Sequence, residues 1–335
     1  MAAWWLTILP RTFIIVTMKE ATLQALRQAG YISGEKLGIT LGISRTAVWK
    51  YVTALRSEGY RIDSSPGKGY SLVSAPDSLL PEEIKAGLRT SLLGRQIAYH
   101  REVASTQDAA KALAAQGARE GTVVIAETQT GGRGRMGRIW TSPPGGIYLS
   151  IILRPDIKPS EALRFPLIAG VAAAQAIEQI TELKPQLKWP NDVIVAGKKA
   201  GGILTEMSAE IDRINYIVIG IGINVNTRRA HFPEEIAGIA TSLREECGKE
   251  VSRVKLVQEI LAQLESLYQD FQLSGFEPIR VRWKALSNTI GARVSISSGG
   301  KEVKGEAIDI DGDGALILRK TNGVLERVIA GDVGD

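Results

Sequence analysis

Gly131-Gly132-Arg133-Gly134-Arg135-Met136-Gly137-Arg138, followed by Ile139-Trp140, separates two apolar runs, Gly121-Thr122-Val123-Val124-Ile125-Ala126 and Ile147-Tyr148-Leu149-Ser150-Ile151-Ile152-Leu153. Four glycines within seven positions deny the backbone a regular helix or strand. Three arginines two or three residues apart supply permanent cations whose planar forks pair with carboxylate or phosphate oxygens. Composition alone is also compatible with a flexible basic surface loop or a Gly-Arg RNA-binding segment. The flanking apolar runs favour an active-site lid carried between two buried strands.

Working outward, the body mixes apolar strands (Val123-Ile125, Ile147-Leu153, Val193-Val195, Ile203-Met207, Tyr216-Ile221) with helices expected over Gln107-Ala115, Ser160-Ile180 and Val254-Phe271. They interleave without a strand-helix-strand repeat, which implies an α+β fold, a mixed sheet covered by helices. Past Trp283 the pattern turns to alternation: Arg293-Ile296, Glu302-Ile308, Ala315-Leu318 and Leu325-Ile329, with a turn at Asn322-Gly323, read as a small β-barrel. Upstream, an amphipathic helix is expected from Thr22 to near Gly30, a second over Ser33-Leu41, a turn at Gly42-Ile43, and a third over Arg45-Glu58 with Ser44 as its N-cap. Val48, Val52 and Leu55 form its inward stripe, leaving Arg45, Thr46, Trp49 and Lys50 outward. A strand-turn-strand around Pro66-Gly67-Lys68 follows as a basic wing, so the order is that of a winged helix-turn-helix; the alternative is a three-helix interaction module. The expected organisation is an extension of unknown role (1–17), this DNA-binding module (18–75), a linker (76–96), a catalytic body (97–286) and the barrel (287–335).

Between Met18 and Ala75 lie eight basic and four acidic residues, so +4 of the formal +5 is concentrated there, an asymmetry suited to nucleic acid. One cysteine, Cys247, allows no intrachain disulfide and points to a reducing cytoplasm. Two histidines, His100 and His231, supply neither most histidine metal sites nor a Ser-His-Asp triad. No uninterrupted apolar stretch reaches the roughly 18 residues of a membrane span. Asp309-Ile310-Asp311-Gly312-Asp313-Gly314 copies half of a calcium loop, but Lys320 stands where a glutamate is needed, so it reads as a β-turn and no resident metal is expected.

The arginine loop, together with Lys188-Trp189-Pro190-Asn191-Asp192, Gly197-Lys198-Lys199-Ala200-Gly201-Gly202-Ile203-Leu204, Ser105-Thr106-Gln107 and Gly220-Ile221-Gly222-Ile223-Asn224, resembles the biotin–protein ligases. The preceding DNA-binding module points to their branch of bifunctional ligase and biotin-operon repressors. The resemblance implies a class II synthetase-like body, an SH3-like barrel, and a reaction in which biotin attacks ATP, releases pyrophosphate and passes from biotinyl-5′-AMP to a lysine of a biotin carboxyl carrier domain. A carboxylate needs such activation because it is a weak electrophile, and the enzyme's share is positioning, cationic stabilisation and exclusion of water.

Lys199, Arg133 and Arg135 are the expected catalytic residues, with Lys198 the competing lysine. Ser105, Thr106, Gln107, Gln129, Gly134, Gly202 and Gly220 are expected at biotin, beside those three. Arg135, Arg138, Trp140, Asn191, Asp192 and Asn224 are expected at ATP, with Asn191 and Asp192 oriented to hold Mg²⁺. Ser105 and Thr106 could equally cap the following helix. Gln107 and Met136 depart from the family's asparagine and arginine. On the DNA side the candidates are Ser44, Arg45, Thr46, Trp49, Lys50 and Lys68. The resemblance further implies a homodimer, operator DNA as a partner, and biotinyl-5′-AMP as corepressor. A ligand-sensing regulator without ligase activity and a lipoate ligase are the competing functions.

Overall fold

The computed structural model describes residues 11–298 and 301–334; of the extension expected over 1–17, residues 1–10 therefore lie outside the described residues. The chain divides into two compact units at Asp77/Ser78.

The first unit opens with α1 (Arg11–Gln28), which starts earlier than Thr22 because no glycine or proline interrupts the run between Arg11 and Gln28. α2 (Gly34–Leu41) is capped by Ser33 and ends at Gly42, whose φ of 64° is open to glycine at little cost. Ser44 then caps α3 (Arg45–Ser57), accepting from Ala47 N at 3.1 Å. Val48, Val52 and Leu55 are fully buried under α1 and α2, as their spacing requires. β1 (Arg61–Ser65) and β2 (Gly69–Ser74) pair as an antiparallel hairpin with Lys68 in its turn.

The second unit begins with α4 (Pro81–Ala86) and is built on a seven-stranded sheet. Its strands are β3 (Ile97–Val103), β4 (Val123–Gln129), β5 (Ile147–Leu153), β6 (Gln186–Lys188), β7 (Asp192–Val195), β8 (Lys198–Ala209) and β9 (Ile214–Ile223), in the order β3-β4-β5-β9-β8-β7-β6. β3 runs parallel to β4 and the other pairs are antiparallel, so the sheet is mixed. β5 is buried at every position, the signature of a central strand covered on both faces. One cover is α5 (Thr106–Ala115); the other includes α6 (Phe165–Thr181), packed on α8 (Arg253–Ser274) and α9 (Glu277–Leu286). Alanines 169, 172, 173, 174 and 176 let α6 approach closely, and Phe165 meets Tyr268 and Phe271 at ring distances of 6.2 and 5.6 Å. A short α7 (Leu243–Cys247) precedes α8. Arg154 fixes the far end of α5, donating to Ala114 O at 2.7 Å, Ala118 O at 3.0 Å and Asn215 O at 2.9 Å.

Segment 76–96, expected as a linker, contributes Leu79, Ile84 and Leu93 to the core, all fully buried. It is fastened by Glu265, which accepts from Ser91 N, Ser91 Oγ, Leu92 N and Leu93 N at 2.6 to 2.8 Å. Burial alone would raise this carboxyl, but the hydrogen bonds outweigh burial and hold it below the usual glutamate value. Its stabilisation is thus present above the unfolded-state value and lost as pH falls through the lower folded one. Glu265→Ala is expected to cost about 3 kcal/mol by denaturant unfolding at neutral pH, with a smaller penalty in acid. An equal penalty at both pH values would contradict the role.

The last strands, β10 (Arg293–Ser298), β11 (Lys301–Ile310), β12 (Leu316–Arg319), β13 (Leu325–Val328) and β14 (Asp332–Gly334), form an antiparallel sheet ordered β13-β12-β11-β10-β14. β13 and β14 are its edges and do not pair, so the expected barrel is not closed by hydrogen bonds. Its inner residues Ile296, Ala307, Ile310, Leu316 and Leu318 join the same core as the larger sheet. The aspartates of the calcium-like loop are held by cations: Asp309 by Arg280 and Lys284, Asp311 by Arg327, and Asp313 by Arg327 and Arg164.

Candidate active site

One cleft of about 350 Å³ in the second unit is lined by every residue expected at the ligand site: Ser105, Thr106, Gln107, Gln129, Arg133, Gly134, Arg135, Arg138, Trp140, Asn191, Asp192, Lys199, Gly202, Gly220 and Asn224. Its floor is glycine. A Cβ on Gly220 would lie 2.6 Å from Gln107 Oε1, and one on Gly222 would lie 2.6 Å from Trp140 Nε1. Gly202 pairs with Gly222 in register and would carry its Cβ 3.3 Å from the Trp140 ring. Gly220 and Gly222 share a face of β9 about 7 Å apart, so the cleft runs along that strand. Its Gly220 end is neutral and its Gly222 end is charged.

At the charged end, Lys199 enters from the start of β8, just after a two-residue turn, Ala196-Gly197, with positive φ at both positions. Its backbone is clamped by Ile239 O at 2.8 Å and Thr241 N at 3.0 Å, while its ammonium lies 2.6 Å from Asp192 Oδ1 and 5.7 Å from the Trp140 ring centroid. The neighbouring Lys198 is not among the lining residues, which separates the two candidate lysines. Asn191 donates to Ile203 O at 2.8 Å and receives Arg135 at 3.3 Å. Asn224 is buried and donates to Thr241 O at 3.1 Å.

The arginine loop is ordered as a small hairpin, with Trp140 N bonded to Gly132 O at 2.9 Å and Gly134 N to Arg138 O at 2.7 Å. Met136, three-quarters exposed with φ 55°, sits at its tip. Two of the three arginines converge on the Gly331-Asp332 corner and the third turns to α5. Arg135 reaches Gly331 O at 3.1 Å, and Arg138 lies 2.5 Å from Asp332. Burial, partly offset by Asp332, lowers the Arg135 value, yet a guanidinium remains a cation at neutral pH. Arg133 pairs with Asp108 on α5 instead. Burial would raise the Asp108 carboxyl, but hydrogen bonds from Arg133 and Lys111 hold it low. Asp332 was missed by sequence reasoning, since a lone aspartate in a terminal strand carries no motif.

At the neutral end, Ser105 caps α5 through Asp108 N at 3.4 Å. Gln129 Oε1 accepts from Thr106 N at 2.8 Å and Thr106 Oγ at 3.1 Å. Ser150, also missed, is fully buried between Thr106 and Gln107; within an all-apolar strand it offered no signal but its polarity.

In the first unit, Ser44, Arg45, Thr46, Trp49, Lys50 and Lys68 are all exposed, with Trp49 at 55% despite its size.

A cationic loop, a lysine and a neutral polar end around one slot suit an elongated ligand with one anionic and one uncharged head, and a helix-turn-helix module stands ahead of it in the chain. Comparisons with known proteins agree. Residues 99–224 match the Biotin/lipoate A/B protein ligase family, 19–71 an HTH domain and 289–333 a Biotin protein ligase C terminal domain. The chain is 42% identical to the bifunctional ligase/repressor BirA of Bacillus subtilis (strain 168) across 95% of this chain and 98% of that protein. Its Escherichia coli (strain K12) counterpart is 33% identical across 90% and 92%. The biotin protein ligase from Aquifex aeolicus in complex with biotin and ATP is 31% identical, covers 72% of this chain and 98% of that one, and superposes with a TM-score of 0.63. The chain belongs to the biotin–protein ligase family, in its bifunctional ligase/repressor branch.

Proposed function

We propose that this chain activates biotin with ATP to biotinyl-5′-AMP, releases pyrophosphate, and transfers biotin to a lysine of a biotin carboxyl carrier domain. The observation that carries the reading is the convergence of Lys199, Arg135, Arg138, Asn191 and Asp192 on one end of a cleft whose other end is neutral. In this reading Lys199 and Arg135 stabilise charge where the biotin carboxylate meets the α-phosphate, and Arg138 meets the remaining phosphates. Trp140 covers adenine, and Asn224 and the glycines shape the slot. Arg133, paired with Asp108, contributes by fixing the loop. Thr106, Gln107 and Gln129 serve the uncharged head. A magnesium ion arriving with the nucleotide fits the donors present: Asp192 is a carboxylate at the phosphate end, and such ions take one or two carboxylates beside the phosphates. Its chemistry would be neutralisation of phosphate charge.

We further read the last five strands as an SH3-like barrel, the body as class II synthetase-like, and the division into 18–75, 97–286 and 287–335 as functional. The protein is read as a cytoplasmic homodimer that represses biotin genes when the adenylate is bound. Among the described residues no helix is long and apolar enough to cross a membrane.

Pyrophosphate exchange dependent on biotin and ATP, with biotinyl-adenylate detected by mass spectrometry in the purified chain, tests the enzyme. A regulator without ligase activity would give no exchange, and lipoate would outcompete biotin in a lipoate ligase. For the first unit, Lys50→Ala is expected to weaken binding to all DNA sequences alike and to lower the salt slope by about one. An unchanged slope in fluorescence anisotropy would remove Lys50 from the interface.

A further inference from the structure

The ladder between β4 and β5 ends at the pair Ala126 and Tyr148, and the chain from Glu127 to Ile147 leaves it to carry the arginine loop. The two stems of the loop are held differently. On the ascending side β4 continues against β3 as far as Gln129. On the descending side Gly145 O accepts from Asn226 N at 2.7 Å, and the Asn226 side chain bonds Val251 N and O at 3.0 and 2.8 Å, just ahead of α8. Higher up, Gln129 joins the stems through Ser142, with bonds at 2.8 and 3.2 Å. At the base the tie is ionic. Arg253, the first residue of α8 and 6% exposed, directs one nitrogen, Nη1, to Glu127 Oε2 at 2.7 Å on one stem and to Gly146 O at 3.1 Å on the other. Glu127 Oε1 accepts in turn from Leu79 N at 2.7 Å. A charge-assisted tie shielded from water is stronger than the neutral one at Gln129. Neither Arg253 nor Glu127 lines the cleft, so whatever they contribute to it passes through the loop.

We propose that Arg253 and Glu127 are positioning residues: by stitching both stems to the start of α8 they set where Arg135 and Arg138 stand at the charged end of the cleft. Stems free to part let the loop swing, since Gly131, Gly132, Gly134 and Gly137 offer little resistance of their own. In the ligase reading above, on which this consequence rests, a swinging loop lets the adenylate escape.

Limited proteolysis of the full, ligand-free chain tests the brace, because trypsin cleaves after Arg133, Arg135 and Arg138. Glu127→Gln/Arg253→Met removes both buried charges while leaving an acceptor for Leu79 N and a side chain to fill the space. Cleavage within the loop is expected to run about fivefold faster or more than in wild type. Glu265→Ala, which removes a buried carboxylate from the same helix, should lower the unfolding temperature yet leave loop cleavage within about twofold. With biotin and ATP supplied, the double variant should label a bystander protein about fivefold more per adenylate formed. Should it not fold, Glu127→Gln alone decides, since it makes the ionic tie neutral and should speed loop cleavage about twofold or more. Wild-type cleavage in these variants, an equal rise in Glu265→Ala, or faster cleavage without added labelling overturns the proposal. A wild-type chain without biotin-dependent exchange would instead overturn the ligase reading, and the trypsin result would still decide the brace.

Discussion

Lys199→Ala is expected to slow biotin adenylation by about 10³-fold, equivalent to about 4 kcal/mol of transition-state stabilisation. The expectation follows from its placement: the ammonium is braced by Asp192 and by the face of Trp140, while its backbone is pinned on both sides by Ile239 and Thr241. A cation held this way costs little reorganisation when negative charge develops at the carboxylate and α-phosphate oxygens. Single-turnover formation of the adenylate, followed by mass spectrometry, is the measurement. Lys198→Ala serves as the control, because Lys198 is not among the residues that line the cleft and its loss should leave that rate near wild type. Wild-type adenylation in Lys199→Ala, or a comparable loss in Lys198→Ala, would reverse the assignment.

Arg135→Gly should release the intermediate. Arg135 ties the loop to two distant parts of the unit, Asn191 and the Gly331-Asp332 corner, and its guanidinium is mostly shielded from solvent. Removing it takes away one of the loop's anchors and, in the proposed reading, uncovers the phosphate in the same step. Biotinyl-adenylate is then expected to escape and acylate lysines of an unrelated protein in the same solution, raising that background labelling about tenfold or more. Peptide mapping of the bystander reads the outcome. Background labelling equal to wild type, with adenylate still being made, would mean that the loop does not retain the intermediate.

Much of this protein was legible before any coordinates. The charge of Arg133, Arg135 and Arg138 cannot be titrated away, the stripe of Val48, Val52 and Leu55 can face only inward, and Ser44 before Arg45 begins a helix by satisfying a free N–H. These are local properties, fixed within a few residues of chain. β3 escaped notice because Tyr99, His100, Arg101 and Glu102 dilute its pattern at the sheet edge, and α9 because Pro278 and its cations mask the apolar face of Ile279 and Trp283.

The roles within the site needed the fold. No spacing rule could show that Arg133 would be taken by Asp108 while Arg135 reached a carbonyl 196 residues away. Nor could it show that Ser150 would stand between Thr106 and Gln107, or that the C-terminal strands would share one core with the body and bring Asp332 to the arginine loop. The sequence by itself determined which groups were available and which elements would carry them. The tertiary structure decided which carboxylate each cation meets, Asp192 for Lys199, Asp332 for Arg135 and Arg138, and Asp108 for Arg133, because hydrogen bonds and ion pairs are settled by distances between segments that only packing brings together.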